Sequence, residues 1–149
     1  MTSNKISTVW AVMMAVMLTV PTTSARTHPE QVMVNLCEVL SSPAEYNHKV
    51  ISVEGVLFPS IHSLFLVSTE CNRKDNRDST TQAVLPDSWE TLPKGKELRK
   101  FLHRGKSATV KLTGTFEADP QRYGPDGARF QFVISGISSV VAAPPDFHP

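Results

Sequence analysis

Three stretches of alternating apolar and polar residues, each broken by a glycine, together with one amphipathic helical segment placed before the last two of them, predict a mainly β chain. The stretches are VISVEG from Val50, VKLTG from Val110 and FVISG from Phe132. Period-two alternation marks a half-buried strand, and a glycine within a strand marks a bend, a bulge or a close backbone approach. Strands coiled enough to serve both sides of a small barrel need such bends. The full order is short helix, three strands, helix, two strands, which is the order of the five-stranded Greek-key barrel of the OB type. The expected fold is therefore an OB-fold-like barrel with a short N-terminal helix and a helix between strands three and four. An open sandwich with chance glycines is the alternative.

The first element is not part of that fold. Residues 1–25 carry one charge at Lys5, an apolar run from Val9 to Val20, then Pro21 and a small-residue ending Thr23-Ser24-Ala25. This is the form of a secretory signal peptide cleaved after Ala25. The run is shorter than the ~20 residues a membrane-spanning helix needs. Lipidation is rejected, because Cys37 follows Leu36 and lies well beyond the run. The expected organisation is a signal peptide over 1–25, one domain over 26–142 and a loose tail over 143–149, with a periplasmic or secreted location and no membrane span in the mature chain.

The sequence has 15 Lys and Arg against 14 Asp and Glu, and loss of Lys5 with the leader brings the remainder to formal neutrality. Such a balance gives no overall electrostatic footprint for nucleic acid. The segment Arg73–Arg77 is the one candidate for a local basic patch, and its mixed charges read more simply as a solvated loop. Both cysteines, Cys37 and Cys71, follow the leader, and in an oxidising compartment an even pair predicts one disulfide. A metal or redox pair would want Cys-x-x-Cys or a histidine at ligand spacing, and neither is present.

The domain opens with Asn35 as a helix N-cap and Glu38 three positions on as its capping partner, with Leu36, Val39 and Leu40 as the apolar stripe. Ser42-Pro43-Ala44-Glu45 repeats the pattern, Ser42 capping, Pro43 at the first helical position and Glu45 reaching back. The turn ends at Tyr46, and Asn47-His48 reverse the chain. The first barrel strand follows from Val50, with Ile51, Val53, Gly55 and Leu57 on one face. Leu64–Val67 and Gln82–Leu85 read as two shorter strands on either side of a polar loop over 70–80. Residues 93–104 place Leu98, Phe101 and Leu102 at helical spacing, with Lys and Arg elsewhere and Gly105 just past the end. The fourth strand has Ala108, Val110, Leu112, Gly114 and Phe116 inward. The fifth has Phe130, Phe132, Ile134 and Gly136 on one side, then Ile137, Val140 and Val141.

The stretch NLCEVLSSPAEYNHKVISVEGVL resembles the opening of small uncharacterised exported bacterial proteins. In these a short helix and a Pro-x-x-Tyr-x-Gly-Lys turn precede a Val-x-Val-x-Gly strand and a single OB-like barrel. The resemblance covers residues 34–57, and the rest only as strand order. It implies the fold and carries no activity. His48 stands where that pattern has glycine, so the left-handed position of the turn falls to Asn47 or to His48.

Of the five histidines, His28, His48, His62, His103 and His148, none is paired at His-x-x-x-His spacing, so no metal site is expected. His103 near a helix end is explained by the helix dipole. There is no Gly-x-Ser-x-Gly elbow. A thermonuclease-like use of the barrel would demand acids and an arginine on the first strands, where only Glu54 is charged. No enzymatic activity, catalytic residue or cofactor is expected. Binding is the expected class, because this barrel uses the face of its second and third strands and the loops joining strands one to two and four to five. Here those loops are Phe58–Ser63 and Ala118–Gly127. Phe58 and His62 in the first, with Arg122 and Tyr123 in the second, are the candidate ligand-binding residues, a ring beside a planar cation that stacks on a flat group. The expected role is an exported binding or interaction module for a protein, peptide or small ligand. The alternatives are a structural or stress-related envelope protein and, further off, a single-stranded nucleic-acid binder or a hydrolase.

Overall fold

The computed structural model describes residues 32–71 and 81–147. The leader, the expected start at Arg26, His28, the Arg73–Arg77 segment and His148 lie outside the described residues.

In chain order the elements are β1 (Met33–Val34), α1 (Leu36–Ser41), α2 (Pro43–Tyr46), β2 (Val50–Pro59), β3 (Leu64–Val67), β4 (Thr81–Val84), a 3-10 turn (Trp89–Thr91), α3 (Gly95–Leu102), β5 (Ala108–Glu117) and β6 (Phe130–Ala142). The sheet runs β1-β2-β3-β4-β6-β5, and β5 pairs back onto β2, so five strands close. β4 and β6 pair in parallel, and every other pair of barrel strands is antiparallel. This is the expected OB-fold-like barrel, with α3 between its third and fourth strands. The two-residue β1, which adds in parallel beside Ser52 and Val53, was not expected, since so short a strand leaves no periodic trace.

The alternation read from sequence fills the barrel. Ile51, Val53 and Leu57 of β2, Leu66 of β3, Ala83 of β4, Val110, Leu112 and Phe116 of β5, and Phe130, Phe132 and Ile134 of β6 form one buried core. Leu36 and Val39 of α1 and Leu98 of α3 join it. Each Val, Leu, Ile or Phe among them, fully buried, contributes about 1.5–3 kcal/mol.

The three strand glycines differ in what they do. A side chain on Gly55 would meet the Val67 carbonyl and Leu66, with Leu36 of α1 just beyond, so this glycine lets the helix and β3 approach. At Gly114 a side chain would fall on the Val133 carbonyl and the Phe132 ring. Gly136 departs from the expected inward position. The β5–β6 register slips between Thr113 and Gly114, so that Ile134 opposes Gly114 while Gly136 opposes Thr113. The extra residue, Ser135, is a bulge that turns Gly136 toward the Thr113 side chain on the outer face. The same slip sets Ile137 opposite the core-facing Leu112, and a second, between Lys111 and Leu112, sets Val140 opposite Val110 in the core.

The caps are partly as expected. Asn35 Oδ1 accepts from the Cys37 N–H at 2.8 Å, but Glu38 does not reach back to it. Glu38 Oε1 instead takes the Tyr46 hydroxyl at 2.6 Å, which raises the Tyr46 pKa. The Asn35 amide donates to Glu70 at 2.9 Å. Ser42 makes no side-chain cap, although Pro43 stands at the start of α2. α3 begins at Gly95, behind Lys94 in a left-handed conformation, and the close approach of the Trp89 and Glu90 backbone leaves room only for glycine at position 95.

Cys37 and Cys71 are bridged, with Cα atoms 5.4 Å apart. The bond ties α1 to the segment leaving β3, and the Ser68 hydroxyl lies 3.3 Å from the Cys37 sulfur.

Candidate functional site

The turn before β2 is built around the left-handed position that the sequence placed at Asn47 or His48. His48 takes it, with φ 60°, and its side chain reaches Asp119 at 3.1 Å. Asn47, in extended backbone, anchors the start of the loop joining β5 and β6. Its Oδ1 accepts from the Ala118 N–H at 2.7 Å, and its amide donates to Asp119 at 3.1 Å. The Asn47 hydrogen bond, more than the neighbouring His48, holds the Asp119 carboxyl below its ordinary value, against the opposing effect of partial burial. The Asn-His pair thus fastens the entry of β2 to the Ala118–Gly127 loop.

That loop folds back over the outer face of the barrel. Tyr123 and Ala128 exchange both backbone hydrogen bonds at 2.9 Å, and Gly124 and Gly127 supply the positive φ angles that close the hairpin between them. Gly124 lies against the Gln82 side chain so closely that no Cβ would fit. Tyr123 is only 5% exposed. Its ring packs with Phe65 and Ala128, and its hydroxyl accepts from the Asp119 N–H at 3.1 Å. This corrects the expectation of a ring displayed at a loop tip, because the hairpin turns it inward onto β3.

Phe58 is half-buried beside this cluster. By strand alternation it and Phe65 face outward, opposite the core-facing Leu57 and Leu66, and their rings stack with centroids 5.4 Å apart and planes 28° apart. The Phe147 ring of the tail sits 6.1 Å from Phe58. Two polar atoms beside this face, Ser63 Oγ and Gln82 Oε1, are buried without a hydrogen-bond partner among the described residues.

The structure therefore brings Phe58 and Tyr123 into one aromatic cluster, with Arg122 exposed at its edge and His62 exposed on the loop between β2 and β3. The sequence reading missed Ile61, the 90% exposed residue next to His62, and Phe65, which looked like an ordinary residue of a short strand. The signal for Phe65 was its place one position off the core register of Leu64 and Leu66.

A separate groove of about 350 Å³ runs where β1 and β3 both leave β2, lined by residues including Asn35, Glu54, Gly55 and Glu70. Among the described residues no group of three or more His, Cys, Asp or Glu is placed to hold a metal ion, and no helix is long and apolar enough to cross a membrane.

No family model matches the chain, and no curated protein matches it. Among solved structures it is similar to a putative aspartyl-tRNA synthetase from Leishmania major Friedlin, at 15% identity and a TM-score of 0.41. The likeness covers 87% of this chain and 24% of that one, so the chain spans about a quarter of that protein's length. At this similarity the likeness carries no argument about function.

Proposed function

We propose that the chain is an exported, non-enzymatic binding module on an OB-fold-like barrel, of the kind its opening residues resemble. The observation that carries the reading is the stacked Phe58–Phe65 pair on the outer face, flanked by the two loops through which such barrels take ligands. Arg122, exposed at the edge, suits a protein, peptide or small ligand that offers a flat group together with an anionic one. The disulfide supports the exported setting, since such bonds persist in oxidising compartments.

The burial of Tyr123 and the approach of Phe147 favour a second reading, a structural envelope protein whose outer face is closed by its own chain. A thermal-shift ligand screen on residues 26–149 separates the two, because a ligand that binds only the native state must raise the melting temperature. The binding module is expected to give hits whose shift disappears in Phe58→Ala and Arg122→Ala. A screen without hits, or hits indifferent to both substitutions, would overturn it.

A further inference from the structure

Residues 94–106 hold six of the ten Lys and Arg among the described residues, with Glu97 as the single acid in that stretch. A chain close to neutral overall is thus strongly polarised, and the charge sits on α3 and its C-terminal extension rather than only in the Arg73–Arg77 segment. At helical spacing Lys96, Arg99, Lys100 and His103 share one side, opposite Leu98, which is fully buried in the barrel core. Lys94 pairs with Glu97 at 2.9 Å and Arg99 with Glu90 at 2.8 Å, and Arg99 Nε donates to His103 Nε2 at 3.1 Å. Lys96, Lys100, Arg104 and Lys106 are exposed and have no ion-pair partner among the described residues. A shallow depression of about 360 Å³ lies between Lys96, Arg99, Lys100, His103, Arg104 and Glu90.

We infer that this face of α3 docks the protein on an anionic lipid bilayer through the phosphates of its headgroups. The choice among anionic partners rests on shape and chemistry. The basic side chains around the depression are all exposed and Glu90 stands among them, so a small free anion finds no buried set of donors there. The neighbouring rings, Trp89 and Phe101, are partly buried and packed against the core, which makes them a poor platform for the bases of a single strand. Lipid headgroups need neither feature. They move laterally and gather under exposed Lys and Arg, each of which strengthens partitioning by about fivefold. The inference is independent of the ligand face around Phe58, since it uses other residues on another element.

The test uses residues 26–149, which contain the whole closed barrel, and sedimentation with vesicles of phosphatidylcholine with or without about one-third phosphatidylglycerol. Binding is expected only to the anionic vesicles and is lost at about 0.5 M salt, where the screening length falls to a few ångströms. The triple variant Lys96→Gln, Lys100→Gln, Arg104→Gln should partition about a hundredfold more weakly, and each single substitution about fivefold more weakly. The control triple Lys49→Gln, Lys111→Gln, Arg129→Gln should stay within about threefold of the unmodified protein. If the α3 triple fails to give a native circular dichroism spectrum, the single variants decide. No partitioning on anionic vesicles would overturn the inference, as would equal losses in the two triples, which would mean that net charge alone is read. Binding to a single-stranded oligonucleotide that is tighter than to vesicles and lost in the α3 triple would assign the face to nucleic acid instead.

Discussion

Tyr123 and Asp119 lock the loop between β5 and β6 from opposite ends of one hydrogen bond, and each can be weighed alone. Replacing Tyr123 by Phe removes the acceptor of the Asp119 N–H and should lower stability by about 1 kcal/mol. Replacing it by Ala also empties the space against Phe65 and should cost about 3 kcal/mol. Urea unfolding of the two variants checks the order, and a negligible loss in Tyr123→Ala would mean that the ring is not packed. For Asp119 the sign follows from its depressed carboxyl. A group held below its unfolded value stabilises the fold above that value, about 3.9 for Asp, and loses the contribution as the pH falls toward the folded value. Unfolding midpoints of the unmodified protein should therefore drop more steeply between about pH 5 and pH 3 than those of Asp119→Asn. Parallel slopes would contradict the Asn47 and His48 contacts. Little of this was legible in the sequence. Arg122-Tyr123 between prolines and glycines looks like an exposed tip, and only the seating of Gly124 on Gln82, forty-odd residues away in the chain, turns the ring inward.

Individual elements were far more legible, because alternation is a local signal. β5 occupies the residues the pattern assigns, and α3 lies within the segment read as helical, starting where Gly95 packs against the Trp89 turn. What the pattern could not carry was parity across a bulge. Gly114 and Gly136 look equivalent in sequence, each after a run of inward apolar positions, yet Ser135 intervenes and places them on opposite faces of the sheet. Their substitutions should separate accordingly. Gly114→Ala pushes a methyl into the Val133 carbonyl, which belongs to backbone and cannot move aside, and should destabilise by about 3 kcal/mol or prevent folding. Gly136→Ala meets only Thr113 Cβ at 3.4 Å and should change stability by less than about 1 kcal/mol. Thermal unfolding of the pair decides, and similar losses in both would place the bulge elsewhere.

For the molecule as a whole, element order sufficed for the barrel, and the pairing of two cysteines sufficed for the bridge. The concentration of charge on α3 was present in the same letters. It escaped because helical periodicity draws attention to the buried side of a helix. The bridge spans a sequence separation of 34, and on a chain-entropy estimate such a loop stabilises by about 4 kcal/mol as an upper figure. Cys37→Ser with Cys71→Ser should therefore lower the unfolding free energy by that amount or less and leave the barrel closed. A larger loss would mean that α1 depends on the bond for its place in the core.

Closure of the barrel also orders events in time. The β2–β3 and β5–β6 pairs are hairpins between neighbouring strands, whereas Val50 must find Thr115 and Thr81 must find Phe130 across the long intervening segments of the chain. Hairpins form in about 1–10 μs, but long-range pairings wait on loop closure and put such barrels in the millisecond-to-second range. The seam between β2 and β5, whose partners lie farthest apart in the chain, is then the last to form, and contacts there belong to the descent after the rate-limiting barrier. In stopped-flow experiments Ile137→Ala, in the β5–β6 hairpin, should chiefly slow refolding, while Val53→Ala, on the seam, should chiefly speed unfolding. The strand that makes the fold a barrel would thereby govern how long the native state lasts and leave the speed of its arrival to the hairpins.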